Sequence, residues 1–327
     1  MRYRRLTHSG IQVSEIGFGA WGIGGGWGPQ DDDSALTALQ MALDRGVTFL
    51  DTALGYGGGH SEELIGRAVK GRRDQVVIAS KVPPKTFQWP VLPDEPLDQT
   101  FPAEWIRECT EQSLRHLDTE YLDLQQLHAW TPAYLDQTEW YEALVRLKEQ
   151  GKIRAFGVSA NDWDPYGPVE LAKAGRVDTI QVIYNLFEQR PAEALLPAAQ
   201  AAGVGIIVRV PFEEGLLTGK MTPETRFPEG DWRADWLTPE RLAEAWPRVQ
   251  ALRGFLSEDA PTLPALALKF CLSHPAVSTV IPGMRRPEHV ESNLAASDGK
   301  PLSPDTLRSL ALHSFTHGWS YPWAQRG

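Results

Sequence analysis

Cysteine is nearly absent from this sequence: Cys109 and Cys271 are the only two in 327 residues. Two distant thiols build neither a disulfide framework nor a CxxC metal site, and such sparing use suits a reducing cytosol. Positive charge is also short, with 32 Lys and Arg against 42 Asp and Glu and a formal net charge of −10. That balance argues against nucleic acid or an anionic membrane as partner, a local basic patch aside. No apolar run is long enough to cross a bilayer. The basic start, MRYRRLTHSG, leads into no continuous apolar stretch of the kind a secretory signal needs. No low-complexity linker marks a second domain. The expectation is a soluble, cytoplasmic protein with one domain spanning residues 1–327.

What the chain does have is a regular rhythm. After a segment that reads as a hairpin (RYRRL, turn HSG, IQVSEIGF), eight strand-like runs follow: SEIGFGAW, VTFLDTA, QVVIASKV, YLDLQQLHAW, KIRAFGVSA, DTIQVIYN, GVGIIVRVP and VSTVIPG. Between them lie helix-like stretches that open with Ser or Pro and close on Gly, among them SALTALQMALDRG and SEELIGRAVKG. In the second, Leu64, Ile65, Ala68 and Val69 share one helical face. The strands are nearly uniformly apolar, as parallel strands covered by helices should be. Eight such units predict an α/β fold, a (β/α)8 TIM barrel with an N-terminal β-hairpin. A doubly wound open sheet has the same rhythm and is the alternative. Two long interruptions, Pro83–Phe101 and Leu216–Pro239, are extended βα loops, on the face where barrels carry their sites. The aromatic tail HSFTHGWSYPW reads as packed on the body.

Gly17 to Gly22, GFGAWG, spells the G-x-G-x-x-G pattern of a Rossmann phosphate turn. That mechanism needs a helix opening at once after the glycines. Here IGGGWGPQDDD follows, and no helix can open before about Asp33. The expected acidic residue is also misplaced, since Asp44 falls in a helix and Asp51 comes too late. The context excludes the Rossmann reading.

Polar residues at the strand ends carry more information. Asp51 ends the second strand, with Tyr56 just beyond; Lys81 ends the third and His128 the fourth. Singly these could be a helix cap, a packed ring, a surface charge and a core histidine. In a barrel they converge on one rim. A tyrosine titrates near pH 10 in model peptides, and a Lys81 ammonium is expected to lower that value, with Asp51 holding the lysine. Tyr56 can then give a proton to a carbonyl oxygen, while a neutral His128 donates a hydrogen bond to the same oxygen. Such a site polarises a carbonyl without metal or nucleophile and lacks a hydride donor.

These residues resemble the aldo-keto reductase family. The likeness runs in order through GFGAWG, FLDTALGYG with SEELIG, IASKV, SLRHLDTEYLDLQQLH, GKIRAFGVS, QVIYN, GLLTGK and IPGMRRPEHVESN, nearly the whole chain. The resemblance implies a (β/α)8 barrel holding NADP(H) extended across its top. Tyr56 is then the proton donor, with Asp51, Lys81 and His128 completing a catalytic tetrad. Gly19, Ala20 and Trp21 lie beside the nicotinamide, and Ser159 and Gln181 bond its carboxamide. The loop from Pro211 and Phe212 through Gly215 to Lys220 embraces the pyrophosphate, with Arg233 a weaker candidate. Gly283, Arg285, His289 and Asn293 fall in the adenosine segment. Arg285, with Arg286 as a second cation, meets a 2′-phosphate, so NADP(H) is preferred over NAD(H).

Three departures from the family pattern stand out. Ala160 follows Ser159 where Asn is common, and Asn161 comes one later. Arg209 stands where an aromatic residue often stacks on the nicotinamide, and its guanidinium is a candidate either to stack there or to bind a substrate anion. Ser292 and His289 replace the usual Glu and Gln of the adenine contact. Twelve tryptophans are many for this length, and Trp21, Trp27, Trp89, Trp130 and Trp163 fall in or beside βα loops. With Tyr56 and His128, Trp21 and Trp130 are the expected substrate contacts; flat apolar walls suit an aromatic aldehyde or a sugar face. Packing of the loops is the other use for such rings. His313 and His317 are spaced i,i+4 but have no acidic neighbour in the tail, so no metal is expected there. The reading is NADPH-dependent reduction of a small or sugar-like carbonyl. Its rivals are a non-catalytic NADP(H)-binding regulatory subunit and a metal-dependent isomerase, the latter lacking its ligands.

Overall fold

A computed structural model of the chain describes residues 1–6, 10–25 and 31–324. Of the expected turn HSG, His8 and Ser9 lie outside the described residues, as does Trp27. Strands β1 (Tyr3–Arg5) and β2 (Gln12–Ser14) pair antiparallel, as the hairpin reading expects. Leu6, Ile11 and Val13 of this hairpin cluster with Phe49, Val77 and Ile207. Phe49 and Val77 open their strands, so the hairpin stoppers the N-terminal end of the barrel.

Eight parallel strands follow in sequential order: β3 (Phe18–Gly19), β4 (Phe49–Asp51), β5 (Val77–Val82), β6 (Leu122–Leu127), β7 (Ile153–Ser159), β8 (Thr179–Ile183), β9 (Gly205–Arg209) and β10 (Val277–Val280). Closure comes from backbone bonds joining first strand to last, among them the Val280 amide donating to Glu15 O at 3.0 Å. The Gly17 amide donates to Val280 O at 2.8 Å and the Gly19 amide to Pro282 O at 3.0 Å. The sheet is therefore a (β/α)8 barrel, not an open doubly wound sheet. Gly19 is glycine for a steric reason, since a Cβ there would lie 2.6 Å from Ile281 O and 3.0 Å from Pro282 O.

Residues of β4, β5, β6 and β8 are buried throughout, because helices cover one face and the barrel interior the other. The first covering helix, Asp32–Asp44, is capped by Asp31, whose carboxylate accepts from the Ser34 amide at 2.8 Å. The second, His60–Ala68, buries Leu64, Ile65 and Ala68, the face its spacing predicts. The long connection after β5 holds the short helix Leu97–Thr100, and that after β9 holds Arg233–Trp236. The C-terminal tail lies on the barrel: Tyr321 is buried in a cluster with Leu216, Trp236 and Leu242.

Candidate active site

The C-terminal ends of β4, β5 and β6 bring four polar side chains together. Lys81 is fully buried, and its ammonium donates to Asp51 Oδ1 at 2.5 Å, to Thr52 O at 2.7 Å and to Tyr56 Oη at 3.2 Å. Those contacts use all three of its protons. The phenol oxygen therefore accepts from lysine, and the tyrosine's own proton must point elsewhere. Asp51 is held from its other side by Gln181, whose Nε2 donates to Oδ2 at 2.8 Å. His128 follows β6 directly, its amide bonded to Val82 O at 2.9 Å. Its ring stands edge-on to Tyr56 at 5.6 Å and to Trp89 at 5.6 Å. One wall of the site is thus Trp89.

Electrostatics corrects one expectation. Burial raises the Tyr56 phenol above its ordinary value and Asp51 adds to the rise; the ammonium of Lys81 pulls down but does not prevail. The phenol is protonated at neutral pH. Burial disfavours charge on Lys81 too, yet Asp51 and Tyr56 outweigh it and hold that pKa above the usual lysine value. His128 is driven well below the ordinary histidine value by burial, then by the charges of Lys81 and Arg209. It is neutral, as expected.

The glycines of GFGAWG serve packing. Besides Gly19 at the barrel seam, Gly22 makes room for the stem of Arg285: a Cβ at Gly22 would meet Arg285 Cγ at 2.9 Å. The Ala20 amide donates to Asp51 O at 2.9 Å, and Ala20 O accepts from Ser61 Oγ at 3.0 Å, which ties this turn to the rim. Trp21 packs on Trp232, ring centroids 5.8 Å apart. Ser159 and Gln181 sit side by side in the β7–β8 register. Asn161 is committed elsewhere: its amide donates to Val91 O at 2.8 Å and its oxygen accepts from the Val91 amide at 3.1 Å.

Arg209, at the end of β9, donates through Nη2 to Asp162 Oδ1 at 2.8 Å and to Ala160 O at 3.1 Å. Trp130 is placed in the core, almost wholly buried against Trp140 at 5.2 Å and Tyr134 at 6.1 Å, and not on an open wall. A cavity of about 380 Å³ opens between Pro90, Asp162, Trp163, Arg190 and tail residues including His317 and Tyr321.

At the far side, Lys220, Arg233, Arg285, Arg286 and His289 form a basic group. Burial lowers the Arg285 pKa and the charges of Arg286 and Arg233 lower it further. His289 is lowered by burial, then by Arg286, Lys220 and Arg285. Cations that raise one another's energy are a fit for phosphate, which relieves the repulsion. Arg233 is also engaged by Asp231 through two bonds, at 2.9 Å and 2.5 Å. Buried Asn293 donates to Gly283 O at 3.4 Å, fixing the turn that carries Arg285. The loop between β9 and Lys220 contains Pro211 and Phe212, then Gly215 at φ 103.

Sequence reasoning missed the groups around these. Glu62, fully buried, accepts from Ser80 Oγ at 2.6 Å and bonds His116 at 3.0 Å. Glu213 and Glu214 in the β9 loop are buried, and His317 is bonded to Glu213 at 2.7 Å. Their partners lie far off in sequence, so no local pattern announces them. The acidic neighbour that His317 lacks in the tail is supplied by the fold.

A profile of the Aldo/keto reductase family matches residues 15–313. The aldo-keto reductase YhdN of Bacillus subtilis (strain 168) is 34% identical over 319 residues, covering 95% of this chain and 92% of that protein. The NADH-specific methylglyoxal reductase of Escherichia coli (strain K12) is 31% identical over 304 residues, covering 89% and 92%. Among solved structures, the holo form of aldo-keto reductase AKR11C1 from Bacillus halodurans is similar with a TM-score of 0.76 at 27% identity, covering 99% of this chain and 100% of that one. An aldo/keto reductase from Klebsiella pneumoniae in complex with NADP and acetate gives a TM-score of 0.68 at 26% identity, covering 98% and 99%.

Proposed function

The chain belongs to the aldo/keto reductase family of oxidoreductases, and from that premise we propose that it reduces an aldehyde or ketone to the alcohol with NADPH, Tyr56 being the proton donor. The observation that carries this reading is the Lys81 ammonium with all three donors spent on Asp51, Thr52 and Tyr56. It leaves a neutral phenol whose proton faces away from the lysine. A dihydronicotinamide, held by Ser159, Gln181 and the loop from Pro211 to Lys220, would supply the hydride.

The protein's own groups do the rest. His128, neutral, donates a hydrogen bond to the carbonyl oxygen and orients it beside Tyr56. Tyr56 would transfer its proton to that oxygen, which takes up negative charge as the carbonyl is reduced. The lysine stabilises the phenolate left behind, and Asp51, buttressed by Gln181, holds the lysine. Trp21, Trp89 and Trp232 supply flat apolar surface around the reacting centre, which suits a small carbonyl or a sugar-derived one.

The preference for NADPH rests on Arg285 and Arg286, whose guanidiniums suit a 2′-phosphate. The test is a panel of aldehydes, ketones and sugars with NADPH and NADH, run on the native protein and on Arg285→Ala. Turnover with some carbonyl, and a KM for NADPH raised roughly tenfold or more in the variant with that for NADH nearly unchanged, is expected. Equal use of both cofactors by both proteins would refute the preference; no turnover on the panel would refute the activity.

A further inference from the structure

The backbone of the β9 loop is unusual at three non-glycine residues. Val210, Glu213 and Glu214 all adopt positive φ, at 55°, 47° and 52°. L-residues resist this region, and such strain persists where the surroundings over-determine it. The surroundings here are specific. Asn185 Nδ2 donates to Val210 O at 2.9 Å and to Glu213 Oε2 at 2.6 Å. The other holding groups come from the C-terminal tail: His317 Nε2 bonds Glu213 Oε1 at 2.7 Å, and the Tyr321 hydroxyl donates to Glu214 Oε1 at 2.6 Å. Both carboxylates and both tail side chains are buried or nearly so. Two glutamates from one strained turn, each gripped by a residue about a hundred positions away, are more than packing requires. Apolar side chains would fill the same space without a desolvation cost.

We propose that His317 and Tyr321 are cofactor-positioning residues: they clamp Glu213 and Glu214 and so hold the loop from Pro211 to Lys220 in the shape that closes on the dinucleotide. The inference rests on the reading that this loop holds the pyrophosphate. The clamp joins the tail to the cofactor loop as one unit, so the tail governs how tightly the cofactor is held and how fast it leaves. The groups facing Glu214 are Tyr321, Glu213, Arg209 and Asp162, and burial with the nearby carboxylates pushes its pKa up to about 7. Below that pH the clamp carries one fewer negative charge beside an anionic ligand. Above it the Glu214 carboxylate opposes the pyrophosphate, and cofactor affinity falls.

The experiment measures NADPH binding and release by nicotinamide fluorescence, together with the KM of a carbonyl substrate. His317→Phe keeps the ring that stacks on Trp319 at 4.3 Å and removes the bond to Glu213; His317→Gln restores a donor; Tyr321→Phe removes one hydroxyl. His317→Phe and Tyr321→Phe are each expected to raise the NADPH dissociation constant and release rate roughly tenfold, the loss of one buried hydrogen bond. His317→Gln is expected to recover most of that loss. Glu214→Gln, the variant least able to disturb folding, is expected to abolish the weakening of affinity seen in the native protein as pH rises through about 7. Native NADPH affinity and release in His317→Phe and Tyr321→Phe, with a raised carbonyl KM, would overturn the inference and leave the tail a substrate wall. A native-like pH profile in Glu214→Gln would overturn it as well. Failure of the native protein to bind NADPH or NADH is a separate result and refutes the underlying functional reading.

Discussion

At Tyr56 two influences on a single proton oppose each other. The ammonium of Lys81 stands 3.2 Å from the phenol oxygen and favours its ionisation, while burial disfavours the phenolate more strongly. Proximity of an opposite charge, legible in the order Asp51, Tyr56, Lys81, gives the sign of one contribution. Burial gives the larger one, and no spacing in the chain reports it. His128 has no such opposition, since burial and two nearby cations act in the same direction. Its ring is expected to stay neutral at the pH, about 6.5, where a free histidine takes up its proton. Nitrogen NMR of the labelled imidazole checks this, and a protonation step near 6.5 would contradict it. Gly19 makes a different kind of claim. Its missing Cβ is what lets β3 approach Ile281 and Pro282. Gly19→Ala is expected to lower stability by about 1–3 kcal/mol in urea unfolding, the cost of overpacking against rigid backbone; an unchanged midpoint would show that the seam can give.

Elements are where sequence reading was most and least complete. Strand ends could be assigned because the barrel rhythm is strong: uniform apolar runs mark the strands, and topology then carries Asp51, Lys81 and His128 to one rim. The face of the helix His60–Ala68 was legible for the same reason. Loops gave less. Trp89 and Trp130 look alike as loop tryptophans, yet one borders His128 and the other is packed against Trp140, because the loop path decides which ring turns inward. Glu213 and Glu214 carry no local pattern that marks them, and they are buried under the tail. Burial of Glu214 has a stability consequence with a definite sign. Its folded pKa of about 7 lies above the ordinary 4.5, so the folded protein holds a proton that the unfolded chain has lost. Stability therefore falls as pH rises from about 4.5 to about 7. Glu214→Gln keeps an acceptor for Tyr321 and removes that dependence. Its melting temperature is expected to match the native protein near pH 5 and exceed it near pH 8; a variant less stable than native at pH 8 would contradict the assignment.

On the scale of the whole molecule, an acidic protein gathers five basic side chains in one place. The net charge is −10, yet Arg233 and Arg286 lie close enough to lower the pKa of Arg285, and Arg286, Lys220 and Arg285 close enough to lower that of His289. The GFGAWG turn belongs to this arrangement without acting as a phosphate cradle, since Gly19 closes the barrel and Gly22 seats Arg285. The proposed catalytic rim, the proposed cofactor loop and the tail are distinct parts of the fold, and the rim carries the central claim. Its most direct test is single-turnover oxidation of bound NADPH by a carbonyl substrate in the native protein and in Tyr56→Phe. The phenylalanine keeps the ring and removes the proton, so turnover is expected to fall about 10²–10⁴-fold while NADPH affinity holds. Turnover within a few-fold of native in that variant would contradict the account.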